Sequence, residues 1–113
     1  MQSLWTVELS QKSAMDFDDI IRHTFEHFGS RQADRYGKLI AQSFEELSTN
    51  GLAHPLAMAR PELGSDILSL PIQRQGRKAR HVVFFKQMPE RSVKTIVVVR
   101  VLHESMDFSK KTA

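Results

Sequence analysis

The residues best suited to chemistry stand at the end of an apolar run near the end of the chain. The run covers residues 93–102, and His103, Glu104 and Asp107 come next or within a few positions. Because most of its side chains are β-branched, the run predicts a central strand that is covered on both faces. An imidazole and two carboxylates at the end of a rigid strand are well placed for molecular recognition or for proton transfer.

A neighbouring predicted strand, over residues 80–86, adds a second set of polar groups. It begins with Arg80 and His81, while Arg100 and His103 stand near the end of the last strand. Residues opposite each other on paired antiparallel strands lie about 5 Å apart, so the two sets can meet across the sheet. Cleavage of RNA would require such groups, because it needs a base, an acid and cations for the phosphate transition state.

The spacing of Arg100 and His103 also supports a more ordinary interpretation. Three positions separate the two residues, so a regular strand directs them to opposite faces unless a bulge intervenes. In that case Arg100 pairs with a nearby carboxylate such as Glu104 or Asp107, and His103 forms a hydrogen bond with the backbone. We expect this second arrangement and predict no enzyme; if the chain were catalytic, His103 and Arg100 would be the candidate residues.

Four cations lie within seven residues around a glycine. They are Arg74, Arg77, Lys78 and Arg80. A basic hairpin tip of this kind can steer a protein toward nucleic acid or toward an acidic protein surface. It can equally be an ordinary solvated turn, since no aromatic side chains are interleaved with the charges. Both interpretations stay open.

One pair of histidines has the spacing of metal ligands on a helix. His23 and His27 stand one helical turn apart with Glu26 between them. No third ligand follows at a readable spacing, and the helix face that the two histidines share is polar, so we expect solvated side chains. The sequence predicts neither a metal nor a cofactor.

The composition describes one domain, residues 1–113, without covalent cross-links. The chain has no cysteine, which excludes disulfides and thiolate metal sites. The 16 Lys and Arg against 13 Asp and Glu give a net charge of +3, which favours acidic partners without requiring nucleic acid. The first residues do not resemble a signal peptide and no apolar run is long enough to span a membrane, so we expect a cytoplasmic protein with a frayed tail at 109–113.

The apolar periodicity predicts an α+β fold with the element order β-α-α-β-β-β. A strand over 4–9 precedes a helix over 11–28, which Gly29 ends, and Ser30 caps a second helix that reaches residue 50. With so short a connection the two helices must form a helical hairpin, packed on a mainly antiparallel sheet. Residues 51–66 read as an irregular connection, and the remaining strands are predicted at 67–73, 80–86 and 93–102.

Two details of these elements can be tested. Pro71 within the strand over 67–73 indicates an edge strand or a bulge. The aromatic side chains are interpreted as core packing, with one face of the sheet on the helices and the other free to bind a partner. These aromatic residues are Trp5, Phe17, Phe25, Phe28, Tyr36 and Phe44.

Five segments in this order resemble the ParE toxins of the RelE/ParE toxin-antitoxin superfamily. They are Leu9-Ser10 before an acidic and aromatic helix, Arg60-Pro61-Glu62-Leu63, Leu70-Pro71-Ile72, His81-Val82-Val83-Phe84-Phe85, and the segment from Arg100 to Asp107. The resemblance covers most of the chain. Two positions depart from it: the turn over 73–79 is longer than is common in the family, and Ser105 stands where many relatives have an arginine.

The resemblance implies a RelE/ParE-like fold and a function. A ParE-like chain is the toxin of a type II toxin-antitoxin system, inhibits DNA gyrase by binding, and is neutralised by a ParD-like antitoxin. We expect the target to be bound by Arg100, His103, Glu104 and Asp107, with the four cations around Gly76 as a second patch. RelE-like relatives cut messenger RNA, so a ribonuclease is the alternative. A non-catalytic nucleic-acid-binding module is the third possibility, although no sequence-specific DNA binding by this chain alone is expected.

Overall fold

The order of the elements is the one that the sequence predicts, with one short strand added. The computed structural model describes residues 4–74 and 77–104 and leaves out the side chains of residues 73–74 and 77–79. Its elements are β1 Thr6–Leu9, α1 Gln11–Asn50, a 3-10 turn at Gly51–Ala53, β2 Met58–Ala59, β3 Leu68–Arg74, β4 Arg77–Gln87 and β5 Thr95–His103. The fold is therefore α+β, as predicted, and the strand bounds differ from the expected ones by at most three residues. The expectation of an irregular connection over 51–66 is wrong at β2.

The helical hairpin is confirmed and turns at Gly29. Helical geometry extends over Gln11–Asn50 but is interrupted at Gly29, whose φ of 87° and ψ of 177° are accessible almost only to glycine. The rings of Phe17 and Phe44 have centroids 6.2 Å apart, whereas in a straight helix these residues would lie about 40 Å apart. The segments 11–28 and 30–50 therefore run back along each other.

Small residues let the two helical segments approach closely. Ala33 is buried, and a Cβ placed on Gly37 would lie 3.4 Å from the Cδ1 atom of Ile21 on the other segment. The segment 30–50 also carries Ile40 and Leu47, which are fully buried against the sheet. The apolar face of this segment therefore packs on the sheet.

The sheet has five strands in the order β1-β5-β4-β3-β2. β1 pairs with β5 in parallel, from Thr6 opposite Thr95 to Leu9 opposite Val98, and the other pairs are antiparallel. The predicted meander of the last three strands is confirmed, and β5 is a central strand because β1 covers part of its outer edge. Pro71 lies at a register shift between β3 and β4, so the predicted irregularity is present there.

Buried side chains lie on both faces of the sheet. The helix-facing core consists of Ile40, Leu47, Leu70, Ile72, Val83, Phe85, Ile96, Val98 and Val101. On the opposite face Phe84 and Leu102 are buried together with Leu63 and Ile67 of the segment before β3. The expectation that this second face is free is therefore wrong at its centre. The assignment of Phe25 and Phe28 to the core is also wrong, because they are 56% and 69% exposed.

A bulge in β5 lies next to Arg100. Phe84 of β4 faces Arg100 and the next residue, Phe85, faces Val98, so Val99 is an extra residue in β5. The outer edge of β5 loses its strand partner at the same point, because β1 ends at Leu9. Ser10 supplies the next hydrogen bonds to this edge. Its N–H donates to the Val98 carbonyl at 3.0 Å and its hydroxyl donates to the Val99 carbonyl at 2.8 Å.

Candidate functional site

Arg100 is bound by a carboxylate from the first helical segment. Its Nε and one terminal nitrogen donate to the two carboxylate oxygens of Asp16, each at 2.8 Å, in a bidentate ion pair. Asp16 also accepts a hydrogen bond from the N–H of Val101 at 3.0 Å. The Asp16 carboxylate therefore continues the hydrogen bonding of the β5 edge beyond the point where β1 and Ser10 stop.

This ion pair is enclosed by the fold. Both side chains are only 12% exposed. The hydrogen bond to Asp16 raises the pKa of Arg100 above its ordinary value, so the guanidinium keeps its charge and that charge is neutralised locally. A carboxylate partner was expected for Arg100, but the one in the structure is Asp16, not Glu104 at the end of β5; Asp107 lies outside the described residues.

The two predicted strands do bring their histidines together. His81 of β4 lies directly opposite His103 of β5. The ring centroids are 5.4 Å apart and the planes are nearly perpendicular, at 88°. Cross-strand contact of this kind was predicted, and for these two imidazoles it is confirmed. Arg100 does not join them through strand pairing, because it faces Phe84.

A third aromatic group reaches the histidine pair from the helices. The hydroxyl oxygen of Tyr36 lies 2.5 Å from Nδ1 of His81, and the two ring centroids are 5.4 Å apart. Either histidine tautomer can form this hydrogen bond, since the phenol can donate or accept. The contact joins the segment 30–50 to the end of the sheet.

The surroundings of His81 keep its imidazole neutral. Burial, followed by the charges of His103 and His23, lowers the pKa of His81 to about 4, while Glu104 acts in the opposite direction. At neutral pH His81 is therefore an uncharged hydrogen-bonding group and a weak base. We call the cluster of Tyr36, His81, His103 and Glu104 the strand-exit site.

Beyond the strand-exit site, β3 and β4 continue without β5. The last pair between β4 and β5 is His81 with His103, and the N–H of Glu104 donates to the Arg80 carbonyl at 2.7 Å. β3 and β4 still pair farther out, with Arg74 opposite Arg77. The cationic residues of this two-stranded extension form what we call the basic ribbon: Arg74, Arg77, Lys78 and Arg80.

An apolar groove lies between the two helical segments and is lined by residues of both. It has a volume of about 430 Å³, and an exposed ion pair between Asp34 and Lys38 lies on its rim, with a nitrogen to oxygen distance of 3.2 Å. We call it the helical groove. Its lining residues are Phe17, Ile21, Phe25, Ser30, Ala33, Asp34, Gly37, Lys38 and Ala41.

Comparison with known proteins identifies the family. A family model described as the ParE toxin of the type II toxin-antitoxin system, parDE, matches residues 7–108. The chain belongs to the ParE toxin family. It is therefore a ParE-type toxin of a ParDE type II toxin-antitoxin system, and the resemblance read from the sequence is confirmed.

A solved structure supports the fold of this ParE-family chain. The chain is similar to a structure titled "Chromosomal ParDE TA system from P. aeruginosa", with a TM-score of 0.66 and 20% sequence identity. The match covers 88% of this chain and 96% of the other. Among curated proteins, none matches this chain. Within the described ranges, no helix of the ParE-family chain combines the length and apolar character needed to span a membrane.

The histidine pair on the first helical segment of this ParE-family chain forms contacts typical of a solvated helix face. The rings of His23 and His27 have centroids 4.1 Å apart, both residues are exposed, and Nδ1 of His27 lies 2.9 Å from the His23 carbonyl oxygen. Among residues 4–74 and 77–104, no group of three His, Cys, Asp or Glu side chains is arranged to hold a metal ion.

Sequence reasoning missed two residues of this ParE-family site. Asp16 and Arg100 are 84 positions apart, and Tyr36 and His81 are 45 positions apart, so spacing carries no signal of either contact. Asp16 belonged to the acidic and aromatic helix of the family resemblance, and Tyr36 was interpreted as core packing. The only sign in the sequence is that Tyr36 carries a hydroxyl, which a buried position would have to satisfy.

Proposed function

We propose that this ParE-type toxin inhibits DNA gyrase by binding to it, and that a ParD-like antitoxin neutralises the toxin. The target-binding residues that we assign are Arg100, His103, Glu104 and Asp107, with the basic ribbon as a second patch. Since gyrase and its DNA are cytoplasmic, we propose that the toxin acts in the cytoplasm.

One observation carries the choice of binding over catalysis: the groups that a ribonuclease would use are already engaged. At a pKa of about 4, His81 is too weak a base to be efficient at neutral pH. Arg100 donates two hydrogen bonds to Asp16, which neutralises the cation that a phosphate transition state would need. Both features support a site that presents a fixed surface.

The construction of the strand-exit site suits recognition of a protein. Tyr36 comes from the helical hairpin, His81 from β4 and His103 from β5, and each ring contacts the next. Rings held in this way lose little conformational entropy when a partner binds. Aromatic groups with a polar atom are also common among residues that dominate binding energy at interfaces.

The helical groove supports the proposal of an antitoxin partner. Its walls are Phe17, Ile21 and Phe25 on one segment and small residues, including Gly37 and Ala41, on the other. Large apolar side chains facing small ones leave a channel into which the apolar side chains of an amphipathic helix can fit. Phe25, which lines the groove, is exposed, and a bound helix would remove it from water.

A ribonuclease is the second candidate, and one observation favours it. Two imidazoles lie side by side, with ring centroids 5.4 Å apart, and this distance permits one to act as an acid and the other as a base. The candidate residues are then His103 and His81, with Arg100 in a supporting position.

Two assays on the purified toxin separate these functions. We expect the toxin to abolish supercoiling of relaxed plasmid by gyrase and to leave ribosome-bound messenger RNA intact. His103→Ala should weaken the inhibition at least tenfold, whereas His27→Ala, on the exposed helix face, should leave it unchanged. Cleavage of the message with supercoiling unaffected would contradict the proposal and favour the ribonuclease.

The antitoxin part has its own test. The small reading frame next to the toxin gene should encode a DNA-binding domain followed by an amphipathic tail, and the tail peptide should bind the toxin and restore supercoiling. If the peptide binds but Ala41→Arg, which places a charge in the helical groove, leaves its affinity unchanged, the assignment of the groove is wrong.

A further inference from the structure

The positive charge of the protein is concentrated in one hairpin. Between Asp66 and Glu90 the chain has five Lys and Arg and no Asp or Glu. The other 90 residues hold 11 Lys and Arg against 13 Asp and Glu, a net charge of −2. The net charge of +3 therefore comes entirely from the segment that forms β3 and β4.

The backbone places most of this charge outside the five-stranded sheet. Residues 77–80 of β4 lie past the last pair with β5, while β2 covers only Leu68 and Ser69 of β3. Four residues of strand extend about 13 Å. The basic ribbon is thus a narrow two-stranded projection with four cations, at the same end of the sheet as the strand-exit site.

Several of the cations elsewhere in the described ranges are paired with carboxylates. Five of them form ion pairs: Arg22, Lys38, Arg60, Arg91 and Arg100. In the basic ribbon Arg80 has an exposed side chain and forms no ion pair with any residue in 4–74 or 77–104. The sequence has no Asp or Glu between Asp66 and Glu90, so the ribbon carries no carboxylate of its own.

We infer that the basic ribbon is a binding site for the phosphate backbone of duplex DNA, without preference for sequence. The major groove of B-form DNA is about 12 Å wide and admits a two-stranded β-ribbon, and the phosphates that border the groove attract a concentration of cations such as this one. The major groove of A-form RNA is too narrow for such an element, so the geometry favours DNA over double-stranded RNA.

The inference extends the proposed function. It rests on that function only for where the toxin would meet DNA, which is on gyrase. Gyrase holds a DNA duplex, so a toxin whose strand-exit site contacts the enzyme would bring the ribbon against that DNA. The affinity of the ribbon for DNA does not require gyrase, however, and it is measured without the enzyme. The two proposals can therefore fail separately.

The experiment measures fluorescence anisotropy of a labelled 20-base-pair duplex of arbitrary sequence with the full-length toxin at 50–200 mM salt. Each phosphate contact contributes about −0.9 to the slope of log affinity against log salt, so four contacts give a slope of about −3.6. The variant R74Q/R77Q/K78Q should lose at least tenfold in affinity at 50 mM salt and most of this slope. The control K12Q/R31Q/R35Q also removes two Arg and one Lys from exposed positions and should stay within threefold of the original affinity.

Three results would overturn the inference: equal losses in the ribbon variant and the control, a slope shallower than −1 for the unmodified toxin, or equal affinity for an RNA duplex. If the triple variant does not fold by circular dichroism, Arg80→Gln serves in its place and should reduce the magnitude of the slope by about 0.9. An unchanged slope in Arg80→Gln would contradict the inference. If the toxin binds the duplex but leaves supercoiling by gyrase unaffected, only the proposed function is contradicted.

Discussion

Arg100 and Arg80 were both expected to contact the target, and they lie at the same end of the sheet, yet their environments differ. Arg100 is 12% exposed and bound by both oxygens of Asp16. Arg80 is exposed, and within the described part of the chain no carboxylate pairs with it. The difference teaches that the role of a charged residue depends on what lies opposite it in the fold, and only secondarily on its place in a motif.

The same contrast holds for two phenylalanines of the first helical segment. Phe17 packs against Phe44 of the other segment and belongs to the core, whereas Phe25 lies nearer the turn and is 56% exposed. Arg100 and Phe17 each form a contact that stabilises the fold, whereas Arg80 and Phe25 are exposed. The predictions below test this division.

The largest effect is expected for Asp16→Ala. The substitution removes the carboxylate that accepts two hydrogen bonds from the enclosed guanidinium of Arg100 and one from the N–H of Val101. Breaking a buried ion pair costs about 3–5 kcal/mol, and because some exposure remains we expect about 3 kcal/mol here. Urea unfolding followed by circular dichroism measures the change.

Two matched variants sharpen this prediction. Arg80→Gln should cost less than about 0.5 kcal/mol, since its side chain is exposed and outside the core. Asp19→Ala, which removes the partner of Arg22 in an exposed ion pair, should also cost about 0.5 kcal/mol or less. If Asp16→Ala is no more destabilising than these two, the contrast between Arg100 and Arg80 does not exist.

The next effect concerns binding of the antitoxin peptide. Phe25→Ala should leave unfolding nearly unchanged but weaken the peptide by about 2 kcal/mol, or about 30-fold in Kd, because an exposed aromatic side chain in the helical groove would anchor the partner. Isothermal titration calorimetry provides the measurement. Val93→Ala, another exposed apolar side chain, is the control, and an equal effect of the two would contradict the assignment.

The smallest effect is the pH dependence contributed by His81. Because burial lowers its pKa from 6.5 to about 4, the unfolded chain takes up a proton before the folded one as the pH falls. This contribution to stability is complete above pH 6.5, decreases between pH 6.5 and 4, and then stays constant. Allowing for the partial exposure of the ring, it amounts to about 1–2 kcal/mol.

Unfolding in urea at pH 7.5 and pH 4.5 tests the contribution of His81. The unmodified protein should lose about 1 kcal/mol more than His81→Gln between the two values. His27→Gln, at an exposed position, should behave like the unmodified protein. A pH dependence that is the same with and without His81 would show that burial does not hold the imidazole neutral.

Sequence patterns were sufficient for the features that depend on local periodicity. Gly29 stops the first helix because its φ of 87° is unfavourable for other residues, and the alternation of apolar residues marks β3, β4 and β5. β2 could not be predicted, since its two residues, Met58 and Ala59, are exposed and show no alternation. The parallel pairing of β1 with β5 was not predicted either. Apolar periodicity shows which face of a strand is buried but not which strand pairs with it.

The site was predicted less completely than the fold. Contact between His81 and His103 was predicted only as a possibility of neighbouring antiparallel strands, because the sequence does not determine their register. Asp16 and Tyr36 could not be found in this way, since the helices place them by tertiary packing across 84 and 45 positions of sequence. The bulge at Val99, which shifts the register next to Arg100, was likewise invisible in an unbroken apolar run.

The most direct test of the account is a titration of gyrase supercoiling with the purified toxin at a fixed gyrase concentration well above the dissociation constant. An inhibitor that acts by binding must reach its end point at about one toxin per site on the enzyme, and addition of the antitoxin must restore activity. Complete loss of supercoiling at a hundredfold smaller amount of toxin, or loss that the antitoxin cannot reverse, would show that the protein acts as a catalyst and contradict the account.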